Sequence, residues 1–137
     1  MRYVLDASVA LKWVLVEADS DKARQLRDDY QKSNHELIAP DIFCVECAHT
    51  LTKKERQGIV PDARKLWSDI MIDSPRYFPC LPLMHRAVEL SCQARIAVYD
   101  CLYIALAERE RCPLITADNR LLKNLPGQAI LLLASLP

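Results

Sequence analysis

What most constrains the fold of this chain is a series of short, uninterrupted apolar runs that stop at a carboxylate or a proline. Tyr3-Val4-Leu5 stops at Asp6, Leu37-Ile38-Ala39 stops at Pro40, and Pro113-Leu114-Ile115-Thr116 is followed closely by Asp118. Runs this short, without polar alternation, read as strands buried on both faces. Ala129 to Leu133 reads as a last strand, and Tyr77-Phe78-Pro79-Cys80 as a weak one whose proline suits a sheet edge. Between them lie stretches with helical spacing. These are Ala7 to Trp13, Asp19 to Asn34, Ile42 to Gln57 (ended by Gly58), Pro61-Asp62 to about Ser74, Leu83 to Arg95, Val98 to Arg111 and Asn119 to Leu125. Strands alternating with helices predict an α/β/α fold, a central parallel sheet of about five strands covered by helices on both faces. Nothing interrupts this alternation, so residues 1–137 are expected to form one domain.

Composition narrows the function. A hydrophobic fraction of 51% with only two glycines excludes disorder and collagen-like repeats. Eighteen Lys plus Arg balance 18 Asp plus Glu. A broad electrostatic grip on nucleic acid is therefore excluded, and any such contact must come from a local basic patch. Asp6 and Lys12 interrupt the N-terminal apolar run, and no apolar stretch approaches the roughly 20 residues that span a bilayer. The chain is expected to be soluble and cytoplasmic, with no membrane partner. Cys44, Cys47, Cys80, Cys92, Cys101 and Cys112 lie mostly inside apolar segments, as buried reduced thiols do. Cys44 and Cys47 have the spacing of a zinc knuckle, but a second knuckle is missing and Glu46 falls between them.

Four acidic residues carry the chemistry. Glu46 lies in the middle of an apolar helical stretch, and Asp100 lies in another, Val98 to Ala107. A lone buried carboxylate costs several kcal/mol unless it is partnered, and no lysine or arginine recurs beside either acid at helical spacing. Asp6 and Asp118 each follow a strand, at the end of the sheet where parallel folds place their ligand crevice. Each acid also has a purely structural explanation: Asp6 and Asp118 can cap the helices that follow, and Asp100 can favour the positive end of its own. Asp41 is read as such a cap, for the helix beginning at Ile42. Glu46 is the hardest to explain as structure. Like charges at 4 Å repel by about 4 kcal/mol at an effective dielectric of 20, so four clustered carboxylates require a cation. An all-oxygen set suits Mg²⁺ or Mn²⁺ better than zinc, and metal-assisted phosphodiester hydrolysis is the chemistry that follows.

The same residues resemble a known family. Val4-Leu5-Asp6-Ala7-Ser8-Val9-Ala10-Leu11-Lys12-Trp13, Ala39-Pro40 with Glu46, Tyr99-Asp100-Cys101-Leu102-Tyr103-Ile104-Ala105-Leu106-Ala107 and Leu114-Ile115-Thr116-Ala117-Asp118 follow one another along essentially the whole chain. In that order they resemble the four motifs of the PIN-domain ribonucleases found as VapC toxins in bacterial toxin–antitoxin pairs. The resemblance implies an endoribonuclease that binds one or two Mg²⁺ or Mn²⁺ ions through Asp6, Glu46, Asp100 and Asp118. Ser8 and Thr116 would be hydroxyls orienting those acids or the water. It also implies an RNA substrate, a homodimer and a cognate antitoxin whose tail blocks the site. His49 stands where many relatives carry asparagine; it is read as a helix-surface residue that could alternatively face the site.

Contacts to substrate are harder to read. Lys12, Lys53, Lys54, Arg56, Arg95, Arg120 and Lys123 are candidates for phosphate contacts, each with a solvated charged face as the simpler explanation. Trp13 can stack on a base, bind the antitoxin or pack in the core. Two other functions compete. A receiver-type signalling domain needs a second acid beside Asp6, where Leu5 and Ala7 stand, and a lysine ending the last strand. A PIN-fold binding module without nuclease activity would not need all four acids. The chain has no glycine-rich phosphate loop and no Gly-x-Ser-x-Gly elbow.

Overall fold

The computed structural model describes all residues, 1–137. Five strands form one sheet: β1 (Arg2–Leu5), β2 (Glu36–Pro40), β3 (Arg76–Phe78), β4 (Leu114–Thr116) and β5 (Ile130–Leu132). Their order is β3-β2-β1-β4-β5 and every pairing is parallel. Seven helices cover the sheet: α1 (Ala7–Ala10), α2 (Ser20–Gln31), α3 (Phe43–Arg56), α4 (Ala63–Ile72), α5 (Met84–Ala94), α6 (Val98–Glu110) and α7 (Asn119–Asn124). The expected α/β/α architecture is the one observed.

The strand order fixes where a site can form. From β1 the chain first winds outward through β2 and β3, then returns to the other side of β1 for β4 and β5. The order reverses between β1 and β4, and a crevice opens at the carboxyl ends of strands on either side of such a reversal. Register carries this to single residues: Val4 pairs with Leu114 and Leu5 with Ile115. Asp6 and Thr116 therefore emerge side by side.

The core is a single cluster in which Val4, Leu5, Ile38, Leu114 and Ile115 are at most 1% exposed. Helix α6 crosses β1, β2 and β4 on one side and carries α5 on the other. All residues from Cys101 to Ala107 are consequently buried, which is why this helix lacks a polar face.

Helix ends differ from the spacing-based expectation where the backbone turns left-handed or a side chain caps. The expected helix from Ala7 to Trp13 is α1 followed by a 3-10 turn, Leu11–Trp13. Asp19 at φ 63 and Ser33 at φ 59 shorten α2 at both ends. Asp62 accepts a hydrogen bond from the Lys65 amide at 3.2 Å, so α4 begins at Ala63. Arg95 and Arg111, at φ 56 and φ 52, end α5 and α6 one residue earlier than expected. The weak third strand is Arg76–Phe78, at the sheet edge, and stops before Pro79.

Asp41 and the cysteines differ from what their sequence context predicts. Asp41 does not cap α3: its carboxylate accepts the Cys80 amide at 3.2 Å, and Ile42 at the helix start is itself in the helical conformation. The cysteines are all reduced, but only Cys47, Cys101 and Cys112 are buried, while Cys92 is exposed. Trp13 packs in the core, 5% exposed, and donates its indole N–H to the Ala23 carbonyl at 2.9 Å.

Candidate active site

The switch point is held together by hydrogen bonds that run between β1 and β4. The Asp6 amide donates to the Ile115 carbonyl at 3.0 Å. Its carboxylate Oδ2 accepts from both Ser8 Oγ and Thr116 Oγ1, each at 2.7 Å. Ser8 Oγ in turn accepts the Ala117 amide at 3.1 Å, and Thr116 Oγ1 accepts the Asp118 amide at 3.1 Å. Asp6 makes no side-chain cap to α1. Its burial is set by the sheet, and two hydroxyls lock its rotamer.

Asp118 does both things the sequence left open. Its Oδ1 caps α7 by accepting the Arg120 amide at 2.9 Å, and its carboxylate also lines the cleft. The Arg120 guanidinium binds it through Nε at 3.1 Å and Nη2 at 2.6 Å. Glu46 arrives in the first turn of α3, and Asp100 in the first turn of α6. Both therefore sit at helix ends that favour negative charge.

Asp6, Glu46, Asp100 and Asp118 line one cleft of about 500 Å³. Four separate elements bring them there, so no local pattern explains the convergence. Burial pushes the Glu46 carboxyl up to about 7, and the charges of Asp6 and Asp100 add to the shift. Burial likewise pushes Asp100 up to about 6, with the Asp6 charge next in size. Asp6 is also raised, by burial against the opposing pull of its two hydroxyl donors. Asp118 alone is lowered, because Arg120 is hydrogen-bonded to it.

The cluster is short of positive charge. Arg120 is the one cation paired with any of the four acids, and its Nη2 lies between Asp118 and Asp100, 3.8 Å from the latter. Glu46 Oε1 is buried with no hydrogen-bond partner, and so is the Tyr103 hydroxyl. An orphaned buried carboxylate oxygen, beside acids that raise one another's pKa, is what an oxygen-ligated cation would relieve. The donor set thus fits Mg²⁺ or Mn²⁺ in chemistry. In the arrangement described, no three of the acids converge closely enough to form a closed ligand set.

Other predicted residues divide clearly. Ser8 lines the cleft, and Thr116 lies fully buried beneath it. His49 is both things it was read as, an exposed helix residue that also lines the cleft. Lys12 and Lys54 line a second groove that adjoins the cleft, whereas Lys53, Arg56, Arg95 and Lys123 line neither. Sequence reasoning gave no role to Tyr99, Thr50 or Tyr103. Tyr99, 54% exposed, and Thr50 line the cleft, and the Tyr103 phenol lies under Glu46. Helical spacing held the signal for two of them: Tyr103 is i+3 from Asp100 and Thr50 is i+4 from Glu46.

Comparison with known proteins agrees with this geometry. Residues 3–127 match the PIN domain family. Ribonuclease VapC9 of Mycobacterium tuberculosis is 34% identical over 121 residues, covering 86% of this chain and 87% of that protein. Among solved structures, PAE2754 of Pyrobaculum aerophilum superposes with a TM-score of 0.73 at 20% identity, covering 98% of this chain and 91% of that one. VapBC2 of Rickettsia felis, bound to a DNA fragment from its promoter, gives 0.66 at 16% identity, covering 96% and 98%. At these identities the structural likeness is one of fold. The chain belongs to the PIN-domain family, among the VapC ribonucleases.

Proposed function

We propose that this protein is a metal-dependent endoribonuclease, the toxin of a VapBC-type toxin–antitoxin pair, hydrolysing RNA phosphodiester bonds at the cleft between β1 and β4. The observation that carries the reading is the convergence of Asp6, Glu46, Asp100 and Asp118 on one cleft with a single arginine as counter-charge. Kinship with VapC9, whose name is that of a ribonuclease, supports the reaction class.

Mg²⁺ or Mn²⁺, as one or two ions, is proposed to be held by these four carboxylates. A divalent cation there supplies a Lewis acid that makes water a better nucleophile and offsets charge on the phosphate. The chain's own residues prepare the place for it. Ser8 and Thr116 fix the Asp6 carboxylate in one rotamer, leaving its other oxygen for a ligand. Arg120 holds Asp118 and reaches Asp100. Glu46 keeps a buried carboxylate oxygen without a hydrogen-bond partner, which a bound cation would engage.

The partners proposed are an RNA substrate, a second copy of the chain and a cognate antitoxin. VapC kinship and the likeness to chains from toxin–antitoxin complexes support these. A cytoplasmic location is part of the same proposal; no single helix is long and apolar enough to cross a membrane.

Calorimetric titration of Mn²⁺ tests the site. The wild-type protein is expected to bind, and Asp6→Asn to bind at least tenfold more weakly. Equal affinity in the two would remove Asp6 from the metal site.

A further inference from the structure

We infer that the groove between Lys12 and Lys54 is a subsite for a backbone phosphate of the RNA strand, next to the phosphate that is cut. The inference rests on the ribonuclease reading and adds to it the direction in which the strand leaves the acids.

The groove encloses about 550 Å³ and shares Ser8, Leu11, Thr50 and Asp118 with the acidic cleft. Cleft and groove are therefore one continuous trough, with Asp118 at the junction. Apart from His49, the charged side chains lining the cleft are all acids, whereas the groove sets two lysines against Glu17 and the shared Asp118. Lys12, on the 3-10 turn after α1, and Lys54, in the last turn of α3, both line the groove. The Lys12 side chain is only 14% exposed, and its Nζ reaches a single carboxylate, Glu17, at the loose distance of 3.7 Å. Lys54 is half-buried and has no carboxylate within ion-pairing distance. Asp118, at the junction, is already neutralised by Arg120. Two ammonium groups thus face one hollow with only Glu17 to offset them.

A polyanion needs such a place. A cation held by the four carboxylates would engage the phosphate that is cut, and with a net charge of zero the molecule as a whole offers the rest of the strand no attraction. Binding must come from cations beside the cleft, and these two lysines are the ones whose groove opens directly into it. Lysine is a point charge without the planar fork that reads a base edge, so the ligand implied is the phosphate backbone in any sequence. Thr50 and Asn119 add neutral hydrogen-bonding groups on the same walls.

The test is fluorescence anisotropy with a labelled, mixed-sequence single-stranded RNA 12-mer, in an Asp100→Asn background with Mg²⁺ present, so that the strand is not cut. Adding Lys12→Gln and Lys54→Gln together is expected to weaken binding at least tenfold. The slope of log K against log salt should become shallower by about 1.4, the value for two lost contacts on a single strand. Lys12→Arg with Lys54→Arg should restore most of the affinity, which a merely structural role for the lysines would not predict. Lys53→Gln with Arg56→Gln, on α3 but outside the groove, should leave affinity unchanged. Equal affinity and an equal salt slope in the Lys→Gln double variant, with the parent protein still binding RNA, would overturn the subsite alone. If the parent protein binds no RNA at all and the wild type cuts none, the ribonuclease reading fails and takes the subsite with it.

Discussion

At the residue scale, the site is defined by groups that fold at a cost. Glu46 is held with an oxygen buried and unpartnered, and its pKa is pushed up to about 7 from an ordinary 4.5. A carboxyl whose pKa is raised by folding destabilises the fold when ionised. Between the two values the folded state holds a proton that the unfolded state has lost, so stability falls as pH rises through that window. In the metal-free protein the Glu46 contribution is therefore expected to favour folding more as the pH is lowered from about 8 to about 5, opposed by His35, whose pKa burial lowers. Glu46→Gln should flatten that profile and raise stability at pH 8 by about 1–2 kcal/mol, discounted for the open side of the cleft, while abolishing cleavage. Urea melts in EDTA at several pH values check it; a Glu46→Gln variant whose profile runs parallel to that of the wild type would contradict the assigned burial. Thr116 makes the opposite case. Its hydroxyl donates to Asp6 and accepts from the Asp118 amide, with the residue fully buried. Thr116→Val keeps the shape and removes both bonds, so a loss of about 1–3 kcal/mol is expected, together with weaker Mn²⁺ binding. Retained stability and retained Mn²⁺ affinity would show that the hydroxyl orients nothing.

At the scale of elements, α6 couples core and site. Its buried run from Cys101 to Ala107 lies between α5 and the sheet, and its first turn delivers Asp100. Leu106, with no exposure, should cost about 2–5 kcal/mol as Leu106→Ala, read by chemical denaturation. A loss below 1 kcal/mol would mean that the helix is not packed as described. The strands and helices were legible because buried parallel strands are continuous apolar runs, and Asp6, Glu46, Asp100 and Asp118 were legible because each breaks an apolar pattern or ends a strand. What stayed hidden depends on tertiary position. The left-handed turns at Arg95 and Arg111 occur at residues other than glycine, and nothing in their side chains announces them. Asp41 has every local mark of a cap, yet an amide 39 residues away takes its carboxylate. Arg120 looked like one more surface cation, and only the fold places it between two acids.

At the scale of the whole molecule, the sheet's reversal between β1 and β4 gathers acids that lie far apart in sequence, and the adjoining groove gathers the lysines. A protein of zero net charge in this way sets a cluster of acids beside a pair of lysines. If the proposed function holds, the four acids make this protein a metal-dependent ribonuclease. The direct test is cleavage of a mixed RNA substrate by purified protein with Mg²⁺, with Mn²⁺ and with EDTA, beside Asp100→Asn shown by circular dichroism to be folded. Cleavage is expected with either metal, with none in EDTA and none in the variant. Cleavage that persists in EDTA, or in Asp100→Asn, would contradict it.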